Sequence, residues 1–219
     1  MATSNKTVAR SSANNPVSAQ DLQNVAEKWD HADLEKIWDS IKKGDKPRKP
    51  WREGKQFEYL VIRAFQIEGA TVRWPYSVTL REKIGVVEQF DGGIYIDNQL
   101  FLVESKNLSE AAAIEAVAKL RFRLERRPPT AMGIIFSVSD FSLPTEVFAQ
   151  FASPMNVLLW GRSDMDAALR EKKMFAGLKE KFLQACERGI PLFALDYGVS
   201  PTSPGLLQAS TSTASQFSV

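Results

Sequence analysis

The stretch from Phe90 to Asn107, FDGGIYIDNQLFLVESKN, constrains the fold more than any other part of the chain. Asp97 and Asn98 suit the two-residue turn of a β-hairpin, because Asn and Asp tolerate the left-handed backbone that turn needs. Ile96 then pairs with Gln99, and counting back along both strands sets Asp91 opposite Glu104. Opposed residues point to the same face, with Cβ atoms roughly 5 Å apart. Lys106, two residues further on, shares that face. Two carboxylates that close can share a hard cation with an ammonium beside it, an arrangement suited to cutting a phosphodiester.

Glu-x-Lys occurs three times, at Glu53/Lys55, Glu104/Lys106 and Glu171/Lys173. Only the middle copy follows an apolar run, Leu100 to Val103, the mark of a buried strand. An acid and a base at the end of such a strand are costly unless they pair or bind an ion. A plain salt bridge from Lys106 to Asp91 or Glu104 is therefore the competing reading. Gly92 and Gly93 beside Asp91 leave room for a backbone or a ligand to come close.

Upstream, Trp51 to Gly69 reads as a helix ended by Gly69, with Phe57, Leu60, Val61, Ala64 and Phe65 as its core stripe. Glu58 falls within that stripe. Its carboxylate either snorkels out at the helix edge or points at something positive.

The order of these pieces, Glu58 on a first helix, a strand, Asp91-x12-Glu104-x-Lys106 on a hairpin, then a helix, resembles the PD-(D/E)xK restriction-endonuclease-like superfamily. Gly54-x-x-Phe57-Glu58, Phe90-Asp91-Gly92-Gly93 and Val103-Glu104-Ser105-Lys106 look most like the Mrr-like restriction nucleases. The likeness covers roughly residues 52 to 140, and Gln89 and Phe90 precede Asp91 where the name of the pattern has a Pro.

The resemblance implies a Mg²⁺ cofactor, with Mn²⁺ as a substitute, held by Asp91 and Glu104 and hydrated elsewhere. It makes Glu58, Asp91, Glu104 and Lys106 the catalytic set, with Lys106 holding or deprotonating the attacking water. Glu58 would bind a second ion or reach the first through water, and the Ser105 carbonyl is a further candidate ligand. The activity implied is DNA endonuclease action in restriction or defence. Two alternatives stay open: a junction-resolving nuclease working as a homodimer, and a catalytically idle nuclease-like binding module. RNA also stays open as a substrate.

Other chemistries have little to draw on. His31 is the one histidine, in an amphipathic N-terminal region, so histidine-based sites and Ser-His-Asp triads are disfavoured. Cys186 is the one cysteine and reads as core packing; alone it makes neither an intrachain disulfide nor a multi-cysteine zinc site. No Gly-rich loop leads into Lys-Ser/Thr. No apolar run approaches the roughly 20 residues of a membrane span, and MATSNKTVAR is not a signal peptide, so a cytoplasmic setting is expected.

Four parts are expected within the 219 residues. Residues 1–17 and 199–219, rich in Ser and Thr, read as disordered. Residues 18–50 read as a helical extension and basic linker, and residues 51–198 as the nuclease-like domain. In the extension, Leu34, Ile37, Trp38 and Ile41 form one apolar face, to be buried on the domain or on a partner protein through residues 18–44.

Within the domain, a helix from about Ser109 to Arg126, a strand over Ala131–Val138, a short helix over Pro144–Phe151 and a strand over Val157–Trp160 follow the hairpin. Ser163 and Asp166 resemble a capping box for a helical region running to about Arg188. The result is an α/β sandwich with a central mixed β-sheet flanked by helices. DNA is the expected partner through two basic segments. One runs from Lys42 to Lys55, where seven cations face only Asp45 and Glu53; the other carries Lys119, Arg121, Arg123, Arg126 and Arg127 against Glu125.

Overall fold

The computed structural model describes residues 17–79, 85–106 and 114–197. Three helices lead: α1 (Ala19–Ala26), α2 (His31–Lys42) and α3 (Lys55–Ile67). Strands β1 (Thr71–Arg73), β2 (Tyr76–Thr79), β3 (Val86–Phe90), β4 (Gly92–Ile96) and β5 (Gln99–Lys106) follow. Then come α4 (Ile114–Leu124), β6 (Met132–Ser137), α5 (Leu143–Phe151), β7 (Val157–Trp160), α6 (Arg162–Glu171) and α7 (Met174–Arg188). The expected tails, 1–17 and 199–219, apart from residue 17, and the expected helical residues 109–113 lie outside the described residues.

Asp97 and Asn98 both take positive φ, 47° and 69°, the twist that lets a two-residue turn join antiparallel strands. Ile96 accordingly pairs with Gln99, and the β4–β5 ladder runs back to Gly92 opposite Val103. The main sheet has the order β1-β4-β5-β6-β7. Its β1–β4 and β4–β5 pairs are antiparallel, while β5, β6 and β7 are parallel. Parallel neighbours need a crossover, which α4 supplies between β5 and β6 and α5 between β6 and β7. The mixed sheet flanked by helices is as expected.

Side-chain alternation splits the core into two layers. Phe101, Val103, Ile134, Phe136, Leu158 and Trp160 meet α3 and its neighbours on one face. Leu102, Ile135 and Leu159 meet Val117 and Leu120 of α4 on the other. Glu104, two residues from Leu102, therefore emerges on the α4 side.

The apolar face of α2 is buried within this chain. Leu34 and Trp38 join the α3 layer, Trp38 stacks on Phe57 with centroids 5.7 Å apart, and its indole N–H donates to Asp166 at 2.7 Å.

Several local expectations are corrected. Helix α3 begins at Lys55, not Trp51, because Gly54 holds φ at +80° and Trp51 packs instead against Trp29 and Tyr59. The close approach expected at Gly92 is met: with φ at +155°, a Cβ there would overlap the Ile62 side chain and meet the Arg73 backbone carbonyl at 2.9 Å. Ser163 and Asp166 do not cap α6. Gly161 is its N-cap and donates its N–H to Asp164 at 3.1 Å, while Asp166 is taken by Trp38 and Lys42. The helical region expected to run to about Arg188 is present, divided into α6 and α7 at Lys172, which holds φ at 54°. Cys186 is exposed rather than part of the core. The separate β2–β3 sheet was not anticipated.

Candidate active site

Asp91 occupies the corner where the chain leaves the β2–β3 sheet and enters the main one. Phe90 before it is fully buried, and Gly92 after it is pressed against α3. The carboxylate is fixed by the Ser105 backbone N–H, which donates to Asp91 Oδ2 at 2.7 Å, just past the last pair of the ladder. The register read from the turn thus carries through to the point where Asp91 faces the end of β5.

Glu104 is buried at that end, and both of its oxygens are engaged. Lys106 Nζ donates to Oε1 at 2.6 Å, and Arg123 Nη1, reaching across from α4, donates to Oε2 at 2.9 Å. A buried carboxylate with one cation on each oxygen meets the requirement that such a charge be paired. The Arg123 guanidinium lies over the Phe90 ring at 5.1 Å, which ties it to the residue before Asp91. Glu58, in the first turn of α3, is mostly buried and accepts from Lys55 Nζ at 2.6 Å.

The carboxylates feel one another. Burial pushes Asp91 up to about 7 from an ordinary 3.8, with the charges of Glu58 and then Glu104 adding to the rise and the Ser105 N–H opposing it. Glu58 is also raised, chiefly by burial, against the pull of Lys55. A buried acid held near neutrality by two others is a place where a cation is electrostatically wanted. Among the described residues, Asp91 Oδ1 and Glu58 Oε1 have no hydrogen-bond donor. No group of three His, Cys, Asp or Glu side chains among those residues is gathered closely enough to cage a metal. The two free carboxylate oxygens could hold a hydrated ion of the Mg²⁺ kind, which takes one or two carboxylates and keeps several waters.

The expected DNA-contacting cations divide. Lys119 is exposed. Lys55 is paired with Glu58 and Arg123 with Glu104. Arg126 and Arg127 both bind Glu88 on β3, and Arg121 donates to the Pro154 and Ser153 carbonyls at 2.8 and 2.9 Å. Much of the basic end of α4 therefore holds the protein together. Arg123 as a partner of Glu104 was not anticipated: it lies 19 positions along the chain, beyond any local periodicity. Ser105 enters the site through its N–H, and its buried Oγ has no partner among the described residues.

No family model matches the sequence, and no curated protein does. Among solved structures the chain is similar to protein VC1899 from Vibrio cholerae, with TM-score 0.44 and 14% identity over 76% of this chain and 57% of that one. It is also similar to the DNA modification-dependent restriction endonuclease AspBHI, with TM-score 0.38 and 13% identity over 78% of this chain and 40% of that one. A third likeness is to the MspJI restriction endonuclease in complex with a 27-mer oligonucleotide, with TM-score 0.39 and 18% identity over 85% and 42%. The chain thus spans 40% to 57% of the length of these structures. The likeness is distant and concerns the fold alone.

Proposed function

We propose that this chain is a Mg²⁺-dependent DNA endonuclease of the Mrr-like kind, serving restriction or defence. The observation that carries the reading is the meeting of Asp91, Glu104 and Lys106 at one end of the β4–β5 hairpin, with Asp91 pushed up to about 7 by burial and neighbouring carboxylates. The ionised form of Asp91, buried beside Glu58 and Glu104, is disfavoured in the protein alone and would be favoured by a divalent cation.

Asp91 and Glu104 would hold the ion, with Glu58 reaching it through water. Bound there, Mg²⁺ would polarise a phosphate oxygen and acidify a water. The Ser105 N–H keeps Asp91 aimed into the site. Lys106 Nζ, now on Glu104, is placed to orient the attacking water and to offset charge building on the phosphate. Arg123 holds the second oxygen of Glu104, so that the carboxylate keeps its orientation when Lys106 turns to substrate.

The double engagement of Glu104 is also what an idle binding module would show. Cleavage of supercoiled, linear and branched DNA in Mg²⁺, Mn²⁺ and EDTA separates the readings. Metal-dependent cutting of linear or supercoiled DNA supports the endonuclease, and a preference for branched DNA supports the resolvase. Binding without cutting of any form supports the module.

A further inference from the structure

A cleft of about 440 Å³ opens between the end of α2 and the segment after it, the start of α3, Val138–Ser139 after β6, and Arg162 at the start of α6. The volume is within the range that takes a nucleotide-sized group. The cleft lies past the carboxyl end of β6 in the parallel part of the sheet, where open α/β sheets form their crevices. The Val138 N–H donates to the Lys106 carbonyl at 3.1 Å, so one wall of the cleft is bonded to the proposed catalytic lysine. Another wall, with Gly54, Gln56 and Phe57, leads directly into Glu58.

The charges differ from those of α4. Lys42 is committed to Asp39 and Asp166. Lys43, Arg52 and Arg162 are exposed, line the cleft, and have no ion-pair partner among the described residues. Asp45, which accepts from Ser40 Oγ at 3.1 Å, and Glu53 are the carboxylates on the wall. On α4, by contrast, Arg123, Arg126 and Arg127 each serve a carboxylate. Cations without a protein partner are the ones free to take a phosphate.

We propose that this cleft holds the sugar-phosphate backbone of the DNA strand next to the cut, with Lys43, Arg52 and Arg162 as its phosphate-binding residues. The proposal deepens the nuclease reading and rests on it for the identity of the ligand. Each backbone contact of this kind releases counterions, so it shows in the salt dependence of binding.

The test is fluorescence anisotropy of a short labelled DNA duplex, titrated in EDTA with the full chain at salt from about 50 to 200 mM. The triple variant Lys43→Ala/Arg52→Ala/Arg162→Ala should bind more weakly, with a log–log salt slope shallower by about 2 to 3. Lys179→Ala leaves the slope unchanged, because Lys179 pairs with Asp97 at the opposite end of the hairpin. Circular dichroism melts check that each variant is folded. A folded triple variant with the parent slope and affinity overturns the proposal. So does displacement of a fluorescent nucleotide from the cleft by thymidine monophosphate while duplex binding ignores the three substitutions, which would make it a small-molecule site. A shallower slope in a protein that never cuts DNA would retain the cleft and remove the nuclease reading.

Discussion

Replacing Asp91 by Asn removes a charge the folded protein tolerates poorly while keeping an oxygen for the Ser105 N–H. The acid titrates at about 7 when folded against an ordinary 3.8. Its folded value is raised, so the associated stability is present in full below about 4 and is lost as pH climbs through about 7. A rise of that size corresponds to roughly 4 kcal/mol once the group is fully ionised. Part of that loss has already occurred at pH 5, and about 2 to 3 kcal/mol of it falls between pH 5 and pH 8.

In metal-free buffer, Asp91→Asn should therefore gain on the parent by about 2 to 3 kcal/mol across that interval, every other group being common to both proteins. The assay is urea unfolding followed by tryptophan fluorescence, with five tryptophans as reporters, at constant ionic strength in EDTA. Added Mg²⁺ should recover stability in the parent and not in the variant. An advantage that is flat or shrinks as pH rises would refute the view that Asp91 is a crowded, buried acid.

Three further changes probe the supports of the site. Arg123→Met strips one of the two cations from buried Glu104 and should cost about 2 kcal/mol in urea unfolding, with a loss of cleavage. Gly92→Ala drives a Cβ into Ile62 and the Arg73 carbonyl and should cost about 2 to 3 kcal/mol, partly recovered by Ile62→Ala in the same denaturation assay. Asp166→Ala frees the Trp38 indole N–H and Lys42 together and should lower stability by about 2 kcal/mol, with faster amide hydrogen exchange along α2.

The hairpin was readable because every cue there is local: the Asp97-Asn98 pair, which takes the positive φ its turn needs, and the apolar run from Leu100 to Val103 on β5. Its register placed Asp91 against the end of β5, and the Ser105 bond follows from it. The α3 stripe was readable for the same reason, since Phe57, Leu60, Val61, Ala64 and Phe65 repeat at helical spacing. What escaped depends on tertiary contact. Arg123 reaches Glu104 only because α4 folds back over β5, and spacing along the chain gives no sign of it. Glu88 binds Arg126 and Arg127, which lie 38 and 39 positions further along the chain, again beyond local periodicity. The α6–α7 break rests on Lys172 at positive φ, where a lysine carries no turn signal.

In the proposed function Lys106, next to the Asp91–Glu104 pair, orients the water that attacks DNA at the end of β5. Single-turnover cleavage of DNA in Mg²⁺, comparing the intact chain with Lys106→Ala purified in parallel, tests it most directly. Metal-dependent cutting should fall by at least about 10²-fold in the variant, which should still fold and still bind DNA. Equal rates from the two proteins would contradict it.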